Sequence, residues 1–150
     1  MTFREANAKD ITEMSSVRMS VIENVLRTPE LVTVESYIRY LEVDGKGWVC
    51  EVNKHVVGFA IVGLVQQNIW ALFVRPEYEQ KGIGKKLQTI MLDWYFTQTE
   101  EQVWLTTAPG TRAETFYLKS GWMLAGKVNI GEVKLLMTFD YWTKIRHRTH

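Results

Sequence analysis

This chain of 150 residues is poor in the residues that staple or ligate: it carries one cysteine and three histidines. With Cys50 alone no intrachain disulfide can form, and its setting in the strand-like run Trp48-Val49-Cys50-Glu51-Val52 marks a core residue rather than a nucleophile. No Cys or His recurs at ligand spacing, so no metal is expected; His55, His147 and His150 lie in a turn and a C-terminal stretch and are assigned no catalytic role. Long apolar runs are missing, and Met1-Thr2-Phe3-Arg4-Glu5 is too polar for a signal peptide, so the expectation is a cytoplasmic protein with no membrane partner. Neither sign of charge dominates. The formal net charge is +1, which supplies no general attraction to nucleic acid.

What is present is an ordinary globular composition, 46% hydrophobic and 23% charged, in a chain long enough for one core. A single domain over 1–150 is expected, with about 141–150 a loosely ordered basic tail rather than a nucleic-acid arm. Thr2 to Ala6 reads as an edge strand, and Asp10 with Glu13 as a capping box. A helix follows through Ile11, Met14, Val17, Val21 and Val25, ended by Thr28-Pro29. Thr33 opens a second helix, with Val34, Tyr37, Ile38 and Leu41 on one face and Gly45 and Gly47 as its exit.

Trp48 to Val52 and Val56 to Val65 form a hairpin around Asn53-Lys54-His55, and Ile69 to Val74 is a further strand. Ile83, Leu87, Ile90, Met91, Trp94 and Tyr95 make the apolar stripe of a long helix. Val103 to Thr107 is a strand, and Thr111 with Glu114 caps a helix that Gly121 closes. Trp122 to Lys127 and Val133 to Phe139 pair at the end around Asn129-Ile130-Gly131. The order β-α-α-β-β-β-α-β-α-β-β predicts an α/β fold, a mixed sheet with helices on both faces.

The chemistry concentrates in Glu79-Gln80-Lys81-Gly82-Ile83-Gly84-Lys85-Lys86-Leu87, between the apolar strand and the long helix. Glycines one residue apart let successive N–H groups turn toward one point, and the helix adds its unpaired amides and positive dipole end, so an anion is the natural ligand. The third glycine of a dinucleotide fingerprint is absent, and no Gly-Lys-Thr or Gly-Lys-Ser follows as in a nucleotide P-loop. Upstream stands Ile69-Trp70-Ala71-Leu72-Phe73-Val74-Arg75-Pro76, and downstream Ala113-Glu114-Thr115-Phe116-Tyr117-Leu118-Lys119-Ser120-Gly121-Trp122. In this order the segments resemble the GNAT superfamily of N-acetyltransferases. There a Val-Arg-Pro strand end leads into a Gln/Arg-x-x-Gly-x-Gly/Ala loop, with Ala-x-x-Phe-Tyr-x-x-x-Gly-Phe as companion. The resemblance covers roughly Ile69 to Gly126.

The resemblance implies a GNAT acyltransferase fold and acetyl-coenzyme A as acyl donor, with no metal. It assigns the pyrophosphate to Gln80, Lys81, Gly82, Ile83, Gly84 and Lys85. The pantetheine arm and thioester fall to the backbone of Leu72, Phe73 and Val74, where an amide also serves as oxyanion donor. Tyr117 is then the acid that protonates the departing sulfur, since a phenol with a pKa of about 10 holds its proton at neutral pH; the alternative is that it merely packs. Two positions depart from the pattern: Glu79 stands for Gln or Arg, and Gly110 for an Asn. No general base is assigned, with Glu23 and Glu35 as helical candidates. Asn24, Trp48 and Trp70 are candidate linings for an amine acceptor, a small molecule being favoured over a protein or peptide. A homodimer is expected, with Val133 to Phe139 as the pairing edge. The rival function is an acyl-coenzyme A binding protein without turnover.

Overall fold

The computed structural model describes residues 1–22, 32–129 and 131–148. In chain order the elements are β1 (Thr2–Glu5), α1 (Ile11–Ile22), α2 (Val34–Arg39), β2 (Gly45–Val52), β3 (His55–Gly63), β4 (Asn68–Val74), α3 (Ile83–Gln98), β5 (Val103–Thr107), α4 (Arg112–Lys119), β6 (Met123–Asn129), β7 (Glu132–Met137) and α5 (Phe139–Arg148). The strands form one seven-stranded sheet in the order β1-β2-β3-β4-β5-β7-β6. Every neighbouring pair is antiparallel except β4 with β5. The mixed sheet and its element order are those expected, with α5 added. Among the described residues no helix is long and apolar enough to cross a membrane.

Two apolar layers lie on the two faces of the sheet. On one, Ile83, Leu87, Met91, Leu92 and Tyr95 of α3 pack with Tyr117 of α4 and Trp142 of α5. The stripe foreseen for α3 is the face that is buried, with Ile90 and Trp94 at its partly covered margins. On the other face, Ile11, Met14 and Val17 of α1 and Tyr37 of α2 cover Val49, Phe59, Ile61 and Ala71. Val34, expected on the buried face of α2, is 57% exposed because it sits in the first turn, ahead of the residues that meet the sheet.

Local chemistry shifts several boundaries. The N-terminal cap forms three residues earlier than Asp10: Asn7 accepts from the Lys9 amide and the Asp10 carboxylate accepts from the Asn7 amide, over a 3-10 turn at Ala8–Asp10. Glu13 instead accepts from the Val56 amide at 2.7 Å, tying α1 to β3. After α2 the chain winds through a π-helical turn, Tyr40–Asp44, so Gly45 and Gly47 belong to β2 rather than to a helix exit. A Cβ on Gly45 would stand 1.8 Å from the Val62 carbonyl oxygen, which is why that strand begins with a glycine. Asn53 and Lys54 take φ of +52° and +68°, the two-residue turn that suits a right-twisted hairpin.

Two expectations at the C-terminus are corrected. The loose tail expected over about 141–150 is a helix as far as it is described, Phe139–Arg148: Trp142 is 5% exposed, and its indole and Arg146 both donate to Asp93 of α3. Val133 to Phe139, expected as the pairing edge, is not one: its strand β7 ends at Met137 and lies between β5 and β6. The outer edge is β6, where Met123, Leu124 and Val128 are exposed. Glu23, Asn24, Val25, Thr28-Pro29 and Ile130 lie outside the described residues.

Candidate active site

β4 and β5 are parallel yet share one in-register pair, Asn68 with Trp104. The Trp104 amide donates to the Gln67 carbonyl at 3.0 Å and its indole to the Gln66 carbonyl at 3.1 Å, which fixes the strands at this end. Beyond it β4 runs on to Val74 and β5 to Thr107 with no further pair, so the strands diverge. The opposite edge of β4 stays paired with β3, Leu72 against Ala60, Phe73 against Phe59 and Val74 against Gly58. The Arg75 amide donates to the Val57 carbonyl, so in this register Phe73 turns its backbone groups to β3, while those of Leu72 and Val74 face the β5 side and are left for something other than a strand.

At the open end of this split the chain turns at Pro76–Tyr78 and enters the glycine loop. Gln80 has φ of +62° and Gly82 +82°, and Gly82 is the N-cap of α3, which it caps without a side chain. The first helical bond runs from the Lys86 amide to the Gly82 carbonyl at 3.0 Å. The amides of Gly82, Ile83, Gly84 and Lys85 therefore have no acceptor within the helix and carry its positive end. Lys81 and Lys85 are exposed beside them, while the Ile83 side chain is 1% exposed and anchors the loop in the core. A Cβ on Gly84 would be 3.7 Å from the Phe116 ring and 3.8 Å from Val74 Cγ2, so α3, β4 and α4 converge here.

Glu79, the position that departs from the family pattern, turns its carboxylate away to the Arg112 guanidinium at the start of α4. The unfavourable charge beside an anion is thus paired. Gly110 has open space around it, and its amide donates to the Glu114 carboxylate at 2.9 Å, completing the cap that Thr111 begins.

Tyr117 sits on the inner face of α4, 7% exposed, its ring 5.2 Å from Phe116 and 5.5 Å from Trp122. Burial pushes its phenol above the ordinary value of 10.0, so it is protonated throughout the neutral range. Gln88 was not singled out from the sequence, where it is one polar residue within an apolar stripe. It accepts from the Trp122 indole at 2.6 Å and donates to Ser120 Oγ at 3.1 Å, clamping the end of α4 to α3.

Among the acceptor-side candidates, Trp48 is excluded: it is 5% exposed and packs edge-on against Trp94 on the α3 face. Trp70 lies on the α1 face, stacked on Tyr40 at 4.4 Å and edge-on to Tyr37 at 5.0 Å. Glu35 is exposed, and Glu23 and Asn24 lie outside the described residues. Among the described residues no three His, Cys, Asp or Glu gather as a metal site would require.

Residues 12–122 match the sequence pattern of the Acetyltransferase (GNAT) family. The chain belongs to this family. It is therefore an acyltransferase, and GNAT proteins are also its structural neighbours. A GNAT-family acetyltransferase of Staphylococcus aureus Mu50 superposes with a TM-score of 0.78 at 19% identity, over 92% of this chain and 98% of that one. The PaiA N-acetyltransferase of Thermoplasma acidophilum, solved with coenzyme A, gives 0.73 at 16% identity over 91% and 98%. The ribosomal-protein-S18-alanine N-acetyltransferase of Escherichia coli gives 0.71 at 15% identity over 92% and 93%. No curated protein matches the chain.

Proposed function

We propose that this GNAT protein transfers the acetyl group of acetyl-coenzyme A to the primary amine of a small molecule by direct attack, in the cytoplasm and as a homodimer. The observation that carries the reading is the unpaired edge of β4 running into the uncapped first turn of α3. Amides of Gly82 to Lys85 hold the pyrophosphate, with Gln80 shaping the turn and Lys81 and Lys85 adding positive charge. The backbone of Leu72 to Val74 pairs with the pantetheine arm as a strand would.

The amine nitrogen forms a bond to the thioester carbonyl carbon, and a β4 amide meets the negative charge on its oxygen. The carbon–sulfur bond then breaks, the electron pair leaves on sulfur, and the Tyr117 phenol delivers its proton there. Ile69 to Val74 contains no carboxylate, and the proton shed by nitrogen leaves to solvent, directly or by way of Glu23 or Glu35, neither of which is assigned as the base. Burial keeps the Tyr117 phenol protonated at neutral pH, so a proton is in place when sulfur leaves.

Amine-dependent release of the coenzyme A thiol tests the reading, across polyamines, amino acids, arylamines and short peptides. Tyr117→Phe should lower the rate by about 10²- to 10⁴-fold, with acetyl-coenzyme A still raising the melting temperature. Undiminished transfer in that variant removes Tyr117 from the chemistry. Cofactor binding with no acetylated amine supports the binding-protein alternative. Turnover of peptides alone moves the acceptor to a protein, the substrate class named for the Escherichia coli neighbour.

A further inference from the structure

We propose that Arg18 binds a carboxylate on the acceptor, so that the substrate is a small amine bearing a carboxylate, in the manner of an amino acid. The inference rests on the transferase reading above and names the substrate class of that same site.

Arg18 follows Met14 by four positions on α1, which turns it toward the sheet with that fully buried residue. Its guanidinium carbon stands 5.6 Å from the centroid of the Phe73 ring. Phe73 belongs to the splayed part of β4, and its side chain points to the α1 face, away from the layer that contains Tyr117. An amine approaching the thioester along β4 from the α1 side would meet the guanidinium beside it.

Among the described arginines, the bonding of Arg18 sets it apart. Its Nε is buried without a hydrogen-bond partner, and it makes no ion pair among the described residues. Arg4 donates to Asp10 and Glu51, Arg39 to Asp44, Arg75 to Ser16 and the Val56 carbonyl, Arg112 to Glu79, and Arg146 to Asp93. Stacking on Phe73 orients the fork but fills none of its donors. A buried Nε–H without an acceptor is unfavourable, and a planar carboxylate satisfies it together with a neighbouring N–H of the fork through two parallel bonds. Lysine at this point would supply the charge without the fork.

The test is thiol release by the wild type, Arg18→Gln and Arg18→Lys on amino acids, each beside its methyl ester. The quantity read is the acid-over-ester ratio of kcat/KM in the wild type divided by that ratio in the variant. This double ratio cancels the esters' own reactivity and does not depend on how much of the variant folds. It should be about 10² for Arg18→Gln, since a charge-assisted, two-bond pair loses one partner, and smaller for Arg18→Lys. A double ratio near one, with turnover intact, overturns carboxylate recognition and leaves the transferase standing. Silence toward every amine, while acetyl-coenzyme A still raises the melting temperature, overturns the transferase reading and this inference with it.

Discussion

Gly82 combines a φ of +82° with empty space where a Cβ would stand. A substitution there strains the backbone without striking a neighbour, at about 1–2 kcal/mol for an L-residue in the left-handed region. Gly82→Ala should therefore relax the turn, swing the first amides of α3 off their common point, and raise the KM for acetyl-coenzyme A by about tenfold. Its effect on the KM for amine should be small; a rise confined to the amine would contradict the anion-cradle role. The glycine was legible because its neighbours spelled a loop between strand and helix. Its charge environment was not: Glu79 looked adverse until paired with Arg112, a contact across 33 positions that no local pattern reveals. Trp48 and Trp70 were likewise indistinguishable as strand aromatics. Register decides their faces, Trp48 opposite Ala60 and so against α3, Trp70 against Tyr37 on the other side.

Elements with strong periodicity were read nearly to their ends, as α3 and the β2–β3 hairpin show, whereas α5 was passed over. Its sequence is basic and polar, and only Phe139, Trp142 and Ile145 face the core, too few for a convincing stripe. The one cue was Thr138, whose Oγ1 accepts from the Tyr141 amide at 3.2 Å. The C-terminal hairpin was foreseen, but not which strand lies outside, because strand order is a long-range property. With β6 outermost, the proposed homodimer is assigned to its free edge. Light scattering should give twice the 17.5 kDa chain mass, and Leu124→Lys, at a site already 62% exposed, should return it to one. A monomer mass for the wild type removes the dimer.

One thiol and three phenols, all neutral at pH 7, are held in the interior of the molecule. Burial raises the Cys50 thiol above its ordinary 9.0 and the Tyr37 and Tyr117 phenols above 10.0, and pushes Tyr95 up to about 12. The unfolded chain gives up these protons at the ordinary values while the folded chain keeps them. Their contribution to stability is thus complete below about pH 9 and declines as pH rises through the window above it. The urea midpoint should fall between about pH 9 and 11 with little change between 7 and 8; a flat profile to pH 11 would mean these groups are open to water.

Across the middle of that molecule a single rung, Asn68 with Trp104, joins four strands built from the first half of the chain to three built from the second. The sheet is in effect two leaves on a hinge. In the proposed reaction a donor lying along β4 is an eighth strand between them, so acetyl-coenzyme A should slow amide exchange in both leaves beyond its own contacts.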